Sequence, residues 1–188
     1  MTARDIQRRL LVERYRRSFV LPNYTPKGWF ETDVFECTKS GYFVELEIKL
    51  TAADFEADKL KQMEGWRYDS ASGRGETFVI GNKHQMLASH ATAGPSRFWF
   101  VLAAQKINNG TIGIVPTSRV PEWAGVMHAV ETPRRRFPYS CSISIVRNAP
   151  QLHREKTGKT YLEHAESVCY YRMHNLFIHG KLEDDERC

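Results

Sequence analysis

Residues 42–50 alternate without a break. Val44, Leu46, Ile48 and Leu50 fall on one side, and Glu45, Glu47 and Lys49 on the other, which is the two-residue period of a β-strand. The segment before it places Glu31 and Asp33 on one face and Phe30, Thr32 and Val34 on the opposite one. Lys39-Ser40-Gly41 between them predicts a three-residue hairpin loop with glycine at the left-handed position. A hairpin centred on Ser40 sets Asp33 opposite Glu47 and Glu31 opposite Lys49, with facing Cβ atoms about 4.5–5.5 Å apart.

The pattern elsewhere supplies the elements around this hairpin. Residues 5–18 read as a basic amphipathic helix on Ile6 and Leu10, with Arg8, Arg9, Arg16 and Arg17 around it. Some of those arginines are expected near nucleic acid. Thr51 is placed to cap a helix over 51–61, with Asp54 in its first turn. Gly65, Gly73, Gly75 and Gly81 with Ser70 and Ser72 predict a mobile insertion over 65–82. A short helix is expected from Lys83 toward Gly94-Pro95. Strands are expected at 97–104, over Val120–Met127 and at Ser142–Val146. A C-terminal helix over 160–178 carries a stripe of Leu162, Ala165, Cys169, Met173, Leu176 and Phe177, with Tyr170 and Tyr171 as packing residues. These elements predict one α/β domain, a mixed central sheet flanked by helices, with its core over about residues 5–150.

Composition narrows the function. The chain has 188 residues, enough for a substantial core. No run approaches a membrane span, and the basic N-terminus lacks the apolar centre of a signal peptide. Cys37, Cys141, Cys169 and Cys188 show no CxxC spacing, so free thiols and a cytoplasmic location are expected. The seven histidines are scattered, against structural zinc. The formal net charge of +5 has the sign that suits a nucleic acid. Arg134-Arg135-Arg136, in a loop bracketed by prolines, concentrates charge suited to a phosphate backbone. Residues 183–186 are acidic.

Asp33 and Glu47 on facing strands repel each other, raise each other's pKa and lose the penalty when a cation binds. Oxygen ligands without Cys or His suit Mg²⁺ or Mn²⁺. Lys49 is placed either to pair with Glu31 or to orient and help deprotonate a water at the ion. The plainer alternative is a solvated sheet face, since Glu and Lys alternate on many one-sided antiparallel strands.

Asp33, followed on the next strand by Glu47-Ile48-Lys49, resembles the signature of the PD-(D/E)XK, restriction-endonuclease-like nucleases. Thr32 stands where that signature has proline. The succession of elements over about residues 5–130 is also similar to small bacterial and phage members, including the MmcB-like DNA repair group. The resemblance implies a restriction-endonuclease-like core and Mg²⁺- or Mn²⁺-dependent hydrolysis of phosphodiesters. It points to DNA rather than RNA, in repair, recombination or phage DNA metabolism. Asp33, Glu47 and the main-chain carbonyl of Ile48 would hold the ion. Lys49 would steer the attacking water, and Glu31, Glu45 or Glu13 would complete a second metal site. Arg134, Arg135, Arg136, Lys61, Lys83 and His84 would contact nucleic acid, and a homodimer is compatible with the superfamily. The rival expectations are a non-catalytic nucleic-acid-binding module on the same fold, or a phage accessory protein using the acidic face as a contact surface.

Overall fold

A capping box starts the first helix: the Thr2 hydroxyl accepts from the Asp5 N–H while the Asp5 carboxylate accepts from the Thr2 N–H. The computed structural model describes residues 1–69, 74–108, 110–132 and 141–179. In chain order the elements are α1 (Ala3–Arg14), β1 (Ser18–Tyr24), β2 (Thr32–Thr38), β3 (Phe43–Lys49), α2 (Ala52–Asp58), β4 (Gln62–Asp69), β5 (Arg74–Asn82), α3 (Lys83–Ala88), β6 (Arg97–Ile107), β7 (Gly110–Gly113), β8 (Ala124–Glu131), β9 (Cys141–Arg147) and α4 (Lys159–His179).

The fold is α/β. A central mixed sheet of seven strands runs β1-β2-β3-β6-β8-β9, with β7 alongside the far end of β6. β6 pairs in parallel with β3 on one side and β8 on the other, and the remaining ladders are antiparallel. Helices cover both faces. On one side Ile6 and Leu10 of α1 pack on Val34, Leu46, Ile48, Val101 and Met127. On the other, Phe55 of α2, Leu87 of α3 and Ala165 of α4 share a cluster with Phe35, Phe98 and Phe100. Phe55 and Phe100 meet edge to face with centroids 5.0 Å apart. Every residue of β3 is buried. The acidic side of the hairpin is therefore not a solvated face but the floor of a covered one.

Several expectations shift. The first helix ends at Arg14, and Ser18 opens an edge strand that the pattern conceals. Pro22 argues against a strand reading, but an edge position tolerates it. Residues 65–69 and 74–82 of the expected mobile insertion belong to the antiparallel ribbon β4–β5, a separate two-stranded sheet, and residues 70–73 lie outside the described residues. Phe78, Val79 and Ile80 are consecutive and all exposed there, so these three residues show no alternation of burial. The strand expected from Val120 begins at Ala124, after a turn of 3₁₀ helix at Thr117–Arg119 and then Pro121. In α4 the expected stripe packs at Leu162, Ala165 and Cys169, while Met173, Leu176, Phe177, Tyr170 and Tyr171 are exposed. Polar groups anchor that helix as well: Tyr24 Oη lies 2.7 Å from His164 Nδ1, and Arg172 donates to the Pro22 and Asn23 carbonyls at 2.6 Å. Among the described residues Cys37, Cys141 and Cys169 are free, and no helix is long and apolar enough to cross a membrane.

Candidate active site

The hairpin turn sets the geometry. Gly41 has φ +82, and the Thr38 N–H donates to the Tyr42 carbonyl at 3.0 Å to close the loop. Val34 pairs with Leu46 and Cys37 with Phe43, a register centred on Ser40. One step beyond Val34 and Leu46 stand Asp33 and Glu47. They line a single open cleft of ≈ 310 Å³ with Lys49, Asp54, Asp58 and Lys61. Asp33 spends one oxygen on the Ile48 N–H, at 2.6 Å.

Glu47 is almost fully buried and gathers three ammonium groups. Its Oε1 accepts from Lys49 at 3.0 Å and Lys61 at 2.5 Å, and its Oε2 accepts from Lys83 at 3.0 Å. Asp58, at the end of α2, holds the second side of the cluster: Lys49 lies 2.9 Å and Lys61 3.0 Å from its Oδ1, and His84 Nε2 lies 2.9 Å from its Oδ2. Deeper still, Glu45 accepts from the Trp29 indole at 2.7 Å and pairs with Lys83 at 2.7 Å. Taking such charges out of water costs several kcal/mol per ion unless each is met by an opposite one. Here Glu45, Glu47 and Asp58 each meet at least one lysine.

The pKa shifts follow from these neighbours. Burial, then the nearby Glu47, pushes Asp33 up to about 6. Burial also pushes Glu45 up. For Glu47, burial works upward, but Lys83, Lys49 and Lys61 outweigh it and hold the carboxyl below its ordinary value. Asp58 is likewise held low, burial being outweighed by the His84 hydrogen bond and the lysines. Burial opposes the charge on Lys49 and Lys83, yet their carboxylate partners win and keep both ammonium groups protonated. In the ion-free protein Lys49 is therefore held as a positive charge between Glu47 and Asp58.

The expected residues divide between the cleft and elsewhere. Asp33, Glu47, Lys49 and Lys61 converge on it. Glu31 is exposed and precedes β2, so the expected Glu31–Lys49 pair does not form; Lys49 turns to Glu47 and Asp58. Glu13 pairs with Arg9 along α1, ten residues past Ala3, the part of that helix that reaches the cleft. At about 1.5 Å rise per residue that separation is roughly 15 Å. Glu45 lies beneath the cleft, fully buried with Trp29 and Lys83. Lys83 has no exposed surface and cannot meet a nucleic acid. His84 is committed to Asp58 and stacks edge-on against Trp123. Arg134, Arg135 and Arg136 lie outside the described residues.

Sequence reasoning misses Asp58 and Trp29. The signal for Asp58 is its spacing: Asp54 and Asp58 stand one helical turn apart, and both reach toward Lys49, at 3.8 and 2.9 Å.

Among the described residues no three His, Cys, Asp or Glu side chains are grouped to hold a metal by themselves. Two carboxylates on one open cleft nevertheless suit Mg²⁺ or Mn²⁺, which use one or two carboxylates and fill the remaining positions with water. Asp33, Glu47 and Ile48 all line that cleft.

No protein-family model matches this chain, and no curated protein matches it. Among solved structures, the chain is similar to a protein of unknown function from Silicibacter pomeroyi. The two are 18% identical with a TM-score of 0.55, over 98% of this chain and 94% of that one. That likeness shows the α/β fold.

Proposed function

We propose that this chain is a metal-dependent nuclease of the restriction-endonuclease-like kind, hydrolysing phosphodiesters of DNA in the cytoplasm. The observation that carries this reading is the convergence of Asp33, Glu47 and Lys49 on one cleft. Asp33, Glu47 and the Ile48 carbonyl would hold Mg²⁺ or Mn²⁺, which supplies Lewis-acid stabilisation of charge on the phosphate. Lys49 presents an ammonium beside Glu47, oriented from behind by Asp58. It steers the attacking water and stabilises negative charge on the phosphate as the bond breaks. Arg4 and Arg8 are exposed on α1, next to Ala3 at the cleft and to Gln7, whose amide donates to the Asp33 carbonyl at 3.0 Å. One turn apart on that helix, they are suited to backbone phosphates beside the site.

One observation favours a second reading. Glu47 is already satisfied by three lysines, as suits a non-catalytic nucleic-acid-binding module on the same fold. A cleavage panel separates the two: linear, nicked, flapped and four-way-junction DNA, and RNA, each with Mg²⁺ or Mn²⁺. The nuclease reading expects cutting of at least one substrate, lost in Asp33→Asn and Glu47→Gln. Binding without cutting across the whole panel selects the second reading.

A further inference from the structure

Three lysines meet Glu47, but they differ in access. The side chains of Lys49 and Lys83 are 3% and 0% exposed, and that of Lys61 is 42% exposed. Lys61 stands in the short connection between α2 and β4, on the wall of the cleft. Its ammonium sits 2.5 Å from Glu47 Oε1 and 3.0 Å from Asp58 Oδ1, and it also acts on Asp33. Both Glu47 oxygens already accept from lysines, Oε1 from Lys61 and Lys49 and Oε2 from Lys83, so a cation bridging Asp33 and Glu47 must displace one of them, and Oε1 is the oxygen with an exposed partner. A divalent ion at about 2.0–2.1 Å from that oxygen cannot share it with an ammonium at 2.5 Å. Burial fixes Lys49 and Lys83 in place. Lys61 is free to leave, on a flexible four-carbon stem that already reaches water.

We propose that Lys61 is an exchangeable counter-ion for the cleft. In the ion-free protein its ammonium neutralises Glu47 and Asp58. When a divalent ion enters, Lys61 swings out to the cleft mouth, where its charge meets the phosphate of the incoming nucleic acid. The inference rests on the reading of Asp33 and Glu47 as a divalent-cation site. It adds that this site is guarded by a residue of the chain itself, so that loading the ion and exposing a positive charge to phosphate are one event.

Mn²⁺ uptake, followed by the resonance of the free ion, tests this on the full chain and on Lys61→Gln, Lys61→Met and Lys59→Gln. Lys61→Met keeps the apolar stem, so a folding defect in the glutamine variant does not decide the result. Lys59 pairs with Glu56 outside the cleft lining and reports the effect of simply removing a nearby charge. Both Lys61 variants are expected to bind Mn²⁺ about tenfold tighter than the parent, and Lys59→Gln to stay within about twofold. In the parent, labelling of Lys61 by an amine-acylating reagent, read by peptide mass spectrometry, is expected to rise when Ca²⁺ is added. Parent-like Mn²⁺ affinity in both Lys61 variants overturns the exchange, as does Lys61 labelling indifferent to Ca²⁺, and either result leaves the cation site standing. No uptake by any of the proteins overturns the cation site and the exchange together.

Discussion

Asp33 and Glu47 face each other across β2 and β3 and line the same cleft, yet their carboxyl groups are held in opposite electrostatic states. Asp33 has one backbone N–H and a pKa pushed up to about 6, while Glu47 has three lysines and is held low. Simple repulsion between the two predicts that removing either one would stabilise the ion-free protein. The lysines break that symmetry. Asp33→Asn should raise the melting temperature slightly. Glu47→Gln should lower the melting temperature, because it takes one carboxylate from each of the buried ammonium groups of Lys49 and Lys83. Thermal unfolding without metal checks both; equal shifts for the two variants would contradict the lysine cage.

The same asymmetry has a pH signature. Between about pH 4 and pH 6 the native protein keeps the Asp33 proton that the unfolded chain has released. The native state then binds more protons, so stability falls as pH rises through this window. Asp33→Asn lacks the effect. Its advantage over the parent should therefore grow from pH 4 to 7, to about 1–2 kcal/mol once solvent at the cleft mouth is allowed for. Denaturant melts across that range measure it, and a constant difference would place Asp33 in an ordinary environment.

Lys83 and Glu45 form the most deeply enclosed ion pair of the site. Lys83→Met alone should destabilise by about 3–5 kcal/mol, since it leaves Glu45 buried without its cation. Adding Glu45→Gln should recover much of that loss. A double-mutant cycle in urea reads the coupling, and additive losses would show that the two side chains are not partners.

For cleavage, Lys49→Ala should reduce kcat by about 10²–10³-fold while leaving Mn²⁺ binding in place, because a fixed ammonium stabilises charge but is not a ligand. Asp33→Asn should lose both. Single-turnover cutting paired with Mn²⁺ titration distinguishes them. Full activity in Lys49→Ala would remove that residue from the mechanism.

Arg4 and Arg8 give a prediction about affinity. Each arginine–phosphate pair removed from a complex with duplex DNA should reduce the salt slope of binding by about 0.9. Arg4→Ala/Arg8→Ala should bind more weakly and with a flatter salt dependence, with unchanged sequence preference. Titrations of a labelled duplex over a range of salt, with Ca²⁺ present, provide the slopes. Superimposable curves would leave these arginines as surface charge.

The part of the site written in one stretch of chain is legible in the sequence. Gly41 fixes the turn, the alternation fixes the faces, and together they place Asp33 beside Glu47. The parts contributed by distant elements are not. Lys83 reads as a nucleic-acid contact until α3 brings it against Glu45, because a single lysine carries no mark of the cavity that will enclose it. Trp29 gives no hint that its indole will satisfy a buried carboxylate. The fold class is legible from the order of strands and helices. β1 is hidden by its proline, and β5 by the exposure of three consecutive apolar residues, Phe78, Val79 and Ile80.

The parallel pairing of β3 with β6 has a consequence for the order of assembly. The β2–β3 hairpin closes locally, but β6 can join only after residues 50–96 have crossed over. Lys61 and Lys83 both lie within that crossover, so a nascent hairpin holds Glu45 and Glu47 without two of their cations. Long-range strand pairing of this kind is slow. Until it closes, burying the acidic face is penalised, and the crossover supplies the charges that remove the penalty. The electrostatics of the cleft thereby act as a checkpoint on topology: the two glutamates are comfortable only in a chain whose crossover has been completed.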